Sequence, residues 1–89
     1  MKIKENFVLR QIAGSWVVLP LGSAVLNFNG MLTLNESGLL LWRLLEVGKG
    51  LEDMVAALLM AYEVDQETAT ADVEEFLNTL IQAGCVEAQ

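Results

Sequence analysis

Residues 7–12, FVLRQI, and 15–20, SWVVLP, are two runs rich in β-branched and aromatic side chains with only Ala13-Gly14 between them. That spacing constrains the chain more than any other feature. Two residues reverse an extended chain only as a tight hairpin turn, and Gly14 supplies the positive φ such a turn needs. The runs therefore read as an antiparallel pair, with Pro20, which lacks an amide donor, at a strand end or on an unpaired side. The second run does not alternate: Trp16, Val18 and Pro20 face one side, Val17 and Leu19 the other. A strand apolar on both faces needs cover on both. The N-terminal arm, another subunit or a partner protein would supply it.

Downstream, AVLNF and MLTL flank Asn29-Gly30, a strong hairpin signal, so residues 31–34 are expected to join the sheet as the second arm. A single irregular strand with a bulge at the glycine is the alternative. A helix should start near Asn35, whose side-chain oxygen can accept from first-turn amides, with Glu36 at the positive end of the dipole. Thr33 and Glu36 also have capping-box spacing, which would start it two residues earlier. Leu40, Leu41, Leu44 and Leu45 recur at helical period. Gly38 in the first turn costs about 1 kcal/mol in helix propensity against alanine, and close approach to the sheet would explain its presence. Gly48 and Gly50 end this helix.

Residues 51–62 form the second helix, with Leu51, Val55, Leu58 and Leu59 as its expected face. Asp65 caps a third helix running to about Ala83, with Ala69, Val73, Phe76, Leu77, Leu80 and Ile81 at helical period and Gly84 beyond its C-terminus. The last residues can add only a short strand or tail. Strands first and three helices after make an α+β fold, a small antiparallel N-terminal sheet followed by three helices, which also suits a winged helix-turn-helix. Eighty-nine residues are expected to make one domain, residues 1–89, with a thin core.

Composition restricts the function. The formal charge is −7, with twelve acidic side chains, and the five cations Lys2, Lys4, Arg10, Arg43 and Lys49 form no basic stripe. Nucleic acid and anionic membrane surfaces are therefore not expected as partners. No signal peptide or spanning run is visible, so the expected location is cytoplasmic. The chain has no histidine and one cysteine, Cys85. The usual base near neutral pH, an internal disulfide and a thiolate metal cluster are all missing. Asp72 and Glu75 share a face of the third helix, but without the loop spacing of a calcium site. No catalytic residue, cofactor or metal is expected, and Cys85 reads as a packed hydrophobe. Trp16 and Trp42 read first as core residues. A binding role remains.

These segments resemble the pyrroloquinoline quinone biosynthesis protein D family. The similarity runs through VLRQIAGSWVVLPLGSAVLNFNG, LNESGLLLWRLLEVGKGLEDMVAALLMAYEVD and ADVEEFLNTLIQAGCV. Its marks fall on Leu34, Asn35, Gly38, Trp42, Tyr62 to Asp65, Asp72-Val73, Phe76-Leu77 and Gly84. The resemblance implies a winged-helix-like domain that binds peptide rather than DNA. The leader segment of a ribosomally made precursor would add as a strand beside residues 31–34. A radical S-adenosylmethionine enzyme would then do the chemistry. The implied site comprises Met31, Leu32, Thr33 and Leu34 on the strand and Asp72, Glu75, Phe76 and Leu77 on the third helix. Before the Leu34-Asn35 pair the chain departs from the quinone-pathway members. Its NGMLT there is more similar to related domains beside other peptide-modifying systems.

The bare residues agree with this role, because an exposed strand edge can pair with an extended peptide largely regardless of its side chains. Met31, Leu32 and Leu77 would wall its pockets, and the acidic third helix would attract basic peptide side chains. A winged-helix DNA-binding regulator and a non-catalytic dimeric assembly module, built through the second sheet face, are the alternatives. A homodimer is compatible with peptide binding.

Overall fold

The computed structural model describes residues 2–22 and 32–87. In chain order the elements are β1 (Lys2–Ile3), β2 (Phe7–Ile12), β3 (Ser15–Pro20), β4 (Leu32–Leu34), α1 (Glu36–Glu46), α2 (Leu51–Ala61), α3 (Gln66–Ala83) and β5 (Val86–Glu87). The fold is the α+β, winged helix-turn-helix-like arrangement that the order of patterns implies. Asn29, Gly30 and Met31, and with them the proposed second hairpin, lie outside the described residues.

β2 and β3 pair antiparallel from Phe7↔Pro20 to Ile12↔Ser15, so Pro20 sits at the ladder's end. Both turn residues are left-handed, Ala13 at φ 51 and Gly14 at φ 83. That is the twist a two-residue hairpin requires, and at Ala13 it strains an ordinary L-residue. β3 also pairs with β4, through Trp16↔Leu34, Val17↔Thr33 and Val18↔Leu32. The sheet order is β2-β3-β4. Val17 and Val18 are both buried, so at the centre of β3 the chain itself covers both faces. In the N-terminal arm, β1 pairs with β5 and lies against α1. A backbone bond from Lys4 to the Cys85 carbonyl, 2.9 Å, extends that small second sheet.

Each helix begins and ends for a local reason. Asn35 caps α1 and accepts from the Gly38 amide at 2.8 Å. Thr33 stays in β4, so the later of the two possible starts is the observed one. Gly48 at φ 83 follows the Val47 C-cap. Asp65 caps α3 by accepting from Thr68 at 2.7 Å, and Gly84 closes it in the left-handed conformation at φ 79. The Thr68 hydrogen bonds hold the Asp65 carboxyl below its usual range.

The sheet and helices meet in one core that includes Val18, Leu34, Leu41, Trp42, Leu45, Met54, Leu58, Val73 and Leu80. Trp42 is fully buried, while Trp16 is half-buried with the Arg43 guanidinium 5.3 Å from its ring centroid. The expected face of α2 needs correction. Met54, Val55 and Leu58 are buried, whereas Leu51 and Leu59 are exposed. On α3 the last member of the stripe, Ile81, is also exposed. Cys85 is buried as expected, and desolvation pushes its thiol up to about 11, with Lys4 opposing slightly.

Candidate functional site

β4 is three residues long, and among the described residues no strand pairs with its outer side. In an antiparallel ladder alternate residues direct both N–H and C=O away from the partner strand, so an edge strand presents unused backbone groups. Leu34 points into the core with Leu32 packed against it, and Thr33 alternates to the exposed side.

Immediately after this edge the chain turns into α1 at Asn35, and Gly38 brings α3 close. A Cβ on Gly38 would meet Asn35 Oδ1 at 3.1 Å, Phe76 Cε1 at 3.5 Å and Leu34 Cβ at 3.6 Å. The missing side chain therefore clears the junction of β4, α1 and α3. The approach foreseen for Gly38 is thus both to the strand and to the ring of Phe76.

Beside this junction lies a hollow of about 470 Å³ lined by Ser15, Leu32, Thr33, Leu34, Asn35, Gly38, Phe76 and Thr79. A second, of about 290 Å³, adjoins it and continues past Ser37 to Asp72 and Glu75. The two share Asn35, Gly38, Phe76 and Thr79, and so form one trough between the open strand edge and α3. Its floor is apolar, through Leu32, Leu34 and Phe76. Its far rim is acidic, with Asp72 and Glu75 exposed one helical turn apart. The Thr79 hydroxyl donates to the Glu75 carbonyl at 3.0 Å, which leaves its oxygen to accept from a ligand.

Of the residues singled out in the sequence, Leu32, Thr33, Leu34, Asp72, Glu75 and Phe76 line this trough. Leu77, one position on and about 100° around the helix, packs against the core and lines neither hollow. Met31 lies outside the described residues. Ser15, Asn35, Ser37, Gly38 and Thr79 are trough residues that pattern reading did not include in the site. Of these, Asn35 carried a signal as the expected helix cap and Gly38 as a glycine in a first turn where alanine would serve the helix better.

Among the described residues no group of three or more His, Cys, Asp or Glu side chains is placed to hold a metal ion. No described helix is long and apolar enough to cross a membrane.

Comparison with known proteins identifies the family and the fold. The family model for coenzyme PQQ synthesis protein D (PqqD) matches residues 15–86. The structure of TbiB1 in complex with the TbiA(beta) leader peptide is similar over the whole chain and 98% of its own, with 31% identity and a TM-score of 0.82. A lasso peptide synthetase B1 complexed with the leader peptide shares the fold at 21% identity and a TM-score of 0.81, over 98% of this chain and 96% of that one. No curated protein matches the chain.

Proposed function

The chain belongs to the coenzyme PQQ synthesis protein D family, and on that footing we propose that it is a non-catalytic recognition domain for a leader peptide. The leader of a ribosomally made precursor adds as a strand to the outer edge of β4. The domain, acting as one unit in the cytoplasm, presents it to a radical S-adenosylmethionine enzyme. The observation that carries this reading is the edge of β4, unpaired by any strand among the described residues, beside the trough. The TbiB1 complex with a leader peptide supports it at 31% identity. The radical enzyme follows from the family resemblance.

Magnitudes assign the work within the site. Leu32–Leu34 direct only alternate amides and carbonyls outward. At ~0.5–1.5 kcal/mol net per hydrogen bond, this pairing falls well short of the ~8 kcal/mol of a micromolar complex. Side chains at alternate peptide positions must supply the rest. On this reading they enter the trough against Phe76, over the space Gly38 leaves. The trough's hollows fall near the ~300–1,000 Å³ range of pockets that bury small ligands. Asp72 and Glu75 on the rim draw lysine or arginine of the leader toward the groove and raise the encounter rate more than the affinity. Leu77 supports the α3 wall from behind.

The reading is tested with a fluorescently labelled leader peptide from a ribosomally made precursor encoded in the same genome. Saturable one-to-one binding by anisotropy is expected, with no binding of the leaderless core peptide. Equal affinity for both peptides, or for neither, would contradict it. Faster turnover of full-length precursor by a radical S-adenosylmethionine enzyme of the same genome when the domain is present tests the presenting role.

A further inference from the structure

A second apolar surface lies on the other flank of α3. A hollow of about 390 Å³ is lined by Leu51, Val55, Ala56 and Leu59 of α2 and by Gln66 and Thr70 of α3, with Glu52 at its rim. It shares no residue with the trough. Thr70 in this hollow and Thr79 in the trough are nine positions apart, two and a half helical turns, and so project from opposite sides of α3. Leu51 and Leu59 are 42% and 39% exposed, and Met60, on the Glu52–Ala56 row, is 91% exposed. Leu51 and Leu59 are side chains that sequence periodicity assigned to the core of α2 and that the fold leaves outside.

The charge around this surface is predominantly acidic, with Lys49, two residues before Leu51, the nearest cation in sequence. All five lysines and arginines lie in residues 1–49, and from Gly50 onward the chain has nine carboxylate side chains and no cation. Glu52 and Asp53 stand in the first turn of α2, Glu63 in the connection and Glu67 in the first turn of α3. An apolar groove in such a field selects an apolar segment flanked by lysine or arginine. A second copy in a two-fold dimer would set this acidic face against itself, which disfavours self-association here.

We infer that this α2–α3 groove docks the modifying enzyme, through an apolar segment of that enzyme flanked by basic residues. The inference rests on the leader-binding reading and extends it: α3 is a common wall, with leader on one flank and enzyme on the other. Both can then be bound at once, which presentation requires. Met60, flexible and polarisable, adapts to whichever side chain the enzyme inserts.

The test uses the full chain, the labelled leader peptide and the purified radical S-adenosylmethionine enzyme that turns over the precursor. Met60→Glu, at a position too exposed to affect folding, and Leu59→Glu are expected to weaken enzyme binding by on the order of ten-fold or more. Leader affinity should stay within about two-fold of the parent, as for sites that share no contact. Glu52→Lys should weaken enzyme binding and flatten its salt dependence. Enzyme binding that is absent in the parent, or unchanged in both Met60→Glu and Leu59→Glu, overturns the inference while intact leader binding preserves the earlier reading. A parent dimer that Met60→Glu converts to monomer, seen by light scattering, would assign the groove to a second copy instead and also overturn it. Loss of leader binding in the parent would instead defeat the recognition role itself.

Discussion

Asn35 and Gly38 constrain each other in two ways: the Asn35 side-chain oxygen accepts from the Gly38 amide at 2.8 Å, and it would lie 3.1 Å from any Cβ placed there. The cap that starts α1 and the space that opens the trough thus depend on one pair. Asn35→Ala removes the acceptor and should lower stability by about 1 kcal/mol, whereas Asn35→Asp should retain it. Gly38→Ala gains ~1 kcal/mol of helix propensity but crowds the cap oxygen, so stability should change little. Its methyl intrudes where the leader side chains are proposed to sit, so leader affinity should fall. Urea unfolding and peptide anisotropy on the same samples separate the two effects.

Phe76 and Leu77 are neighbours in sequence with different roles. Phe76→Ala should reduce leader affinity by on the order of ten-fold, ~1.4 kcal/mol, because its ring lines the trough. Leu77→Ala removes core packing from a half-buried side chain and should cost ~1–2 kcal/mol of stability, below the ~2–5 of full burial, with leader affinity nearly unchanged. Equal binding losses in both variants would place the peptide elsewhere on α3.

The hairpin contains a correctable strain. Ala13 occupies the left-handed region at φ 51, where asparagine is better tolerated, and Asn-Gly is the preferred pair for this turn. Ala13→Asn should raise stability by about 0.5–1 kcal/mol, read as an increase in the urea midpoint with an unchanged slope.

Trp42 is the largest fully buried side chain, and its Nε1 is a buried donor with no hydrogen-bond partner among the described residues. Trp42→Phe gives up some volume but also removes a donor whose burial costs ~1–3 kcal/mol. It should therefore fall within about 1 kcal/mol of the parent, while Trp42→Ala should cost ~3–5 kcal/mol. Thermal or urea denaturation of the two variants decides this.

Cys85 reports on the junction of the termini. Burial raises its thiol from 9.0 to about 11, so the folded state holds the neutral form. The associated stability is fully present below pH 9.0 and is lost as pH rises through about 11. In Cys85→Ala this alkaline decline should be smaller. At pH 8 the thiol should react with iodoacetamide only as fast as the chain opens.

Local signals in the sequence were the readable ones. FVLRQI, SWVVLP, the caps at Asn35 and Asp65 and the glycine stop at Gly84 each depend on neighbours a few residues away, and the structure bears them out. β1 and β5 were not legible as a pair, because two residues carry no period and their partners lie at opposite ends of the chain. Periodicity placed Leu51 and Leu59 in the core, but α2 turns Met54, Val55 and Leu58 inward. The trough was legible only in part. Leu32, Leu34, Phe76 and the acidic pair stood out by type and Asn35 and Gly38 as family marks, whereas Ser15, Ser37 and Thr79 join it through tertiary placement alone.

The proposed function requires that the outer edge of β4 accept a foreign backbone. Amide hydrogen exchange by NMR, residue by residue, tests it in the free domain and with saturating leader peptide. Outward amides within Leu32–Leu34 should exchange quickly when free and become protected on binding, together with shifts at Phe76 and Thr79. Binding that leaves Leu32–Leu34 exchange unchanged, or amides there already protected to the level of β3 in the free monomer, would contradict the account.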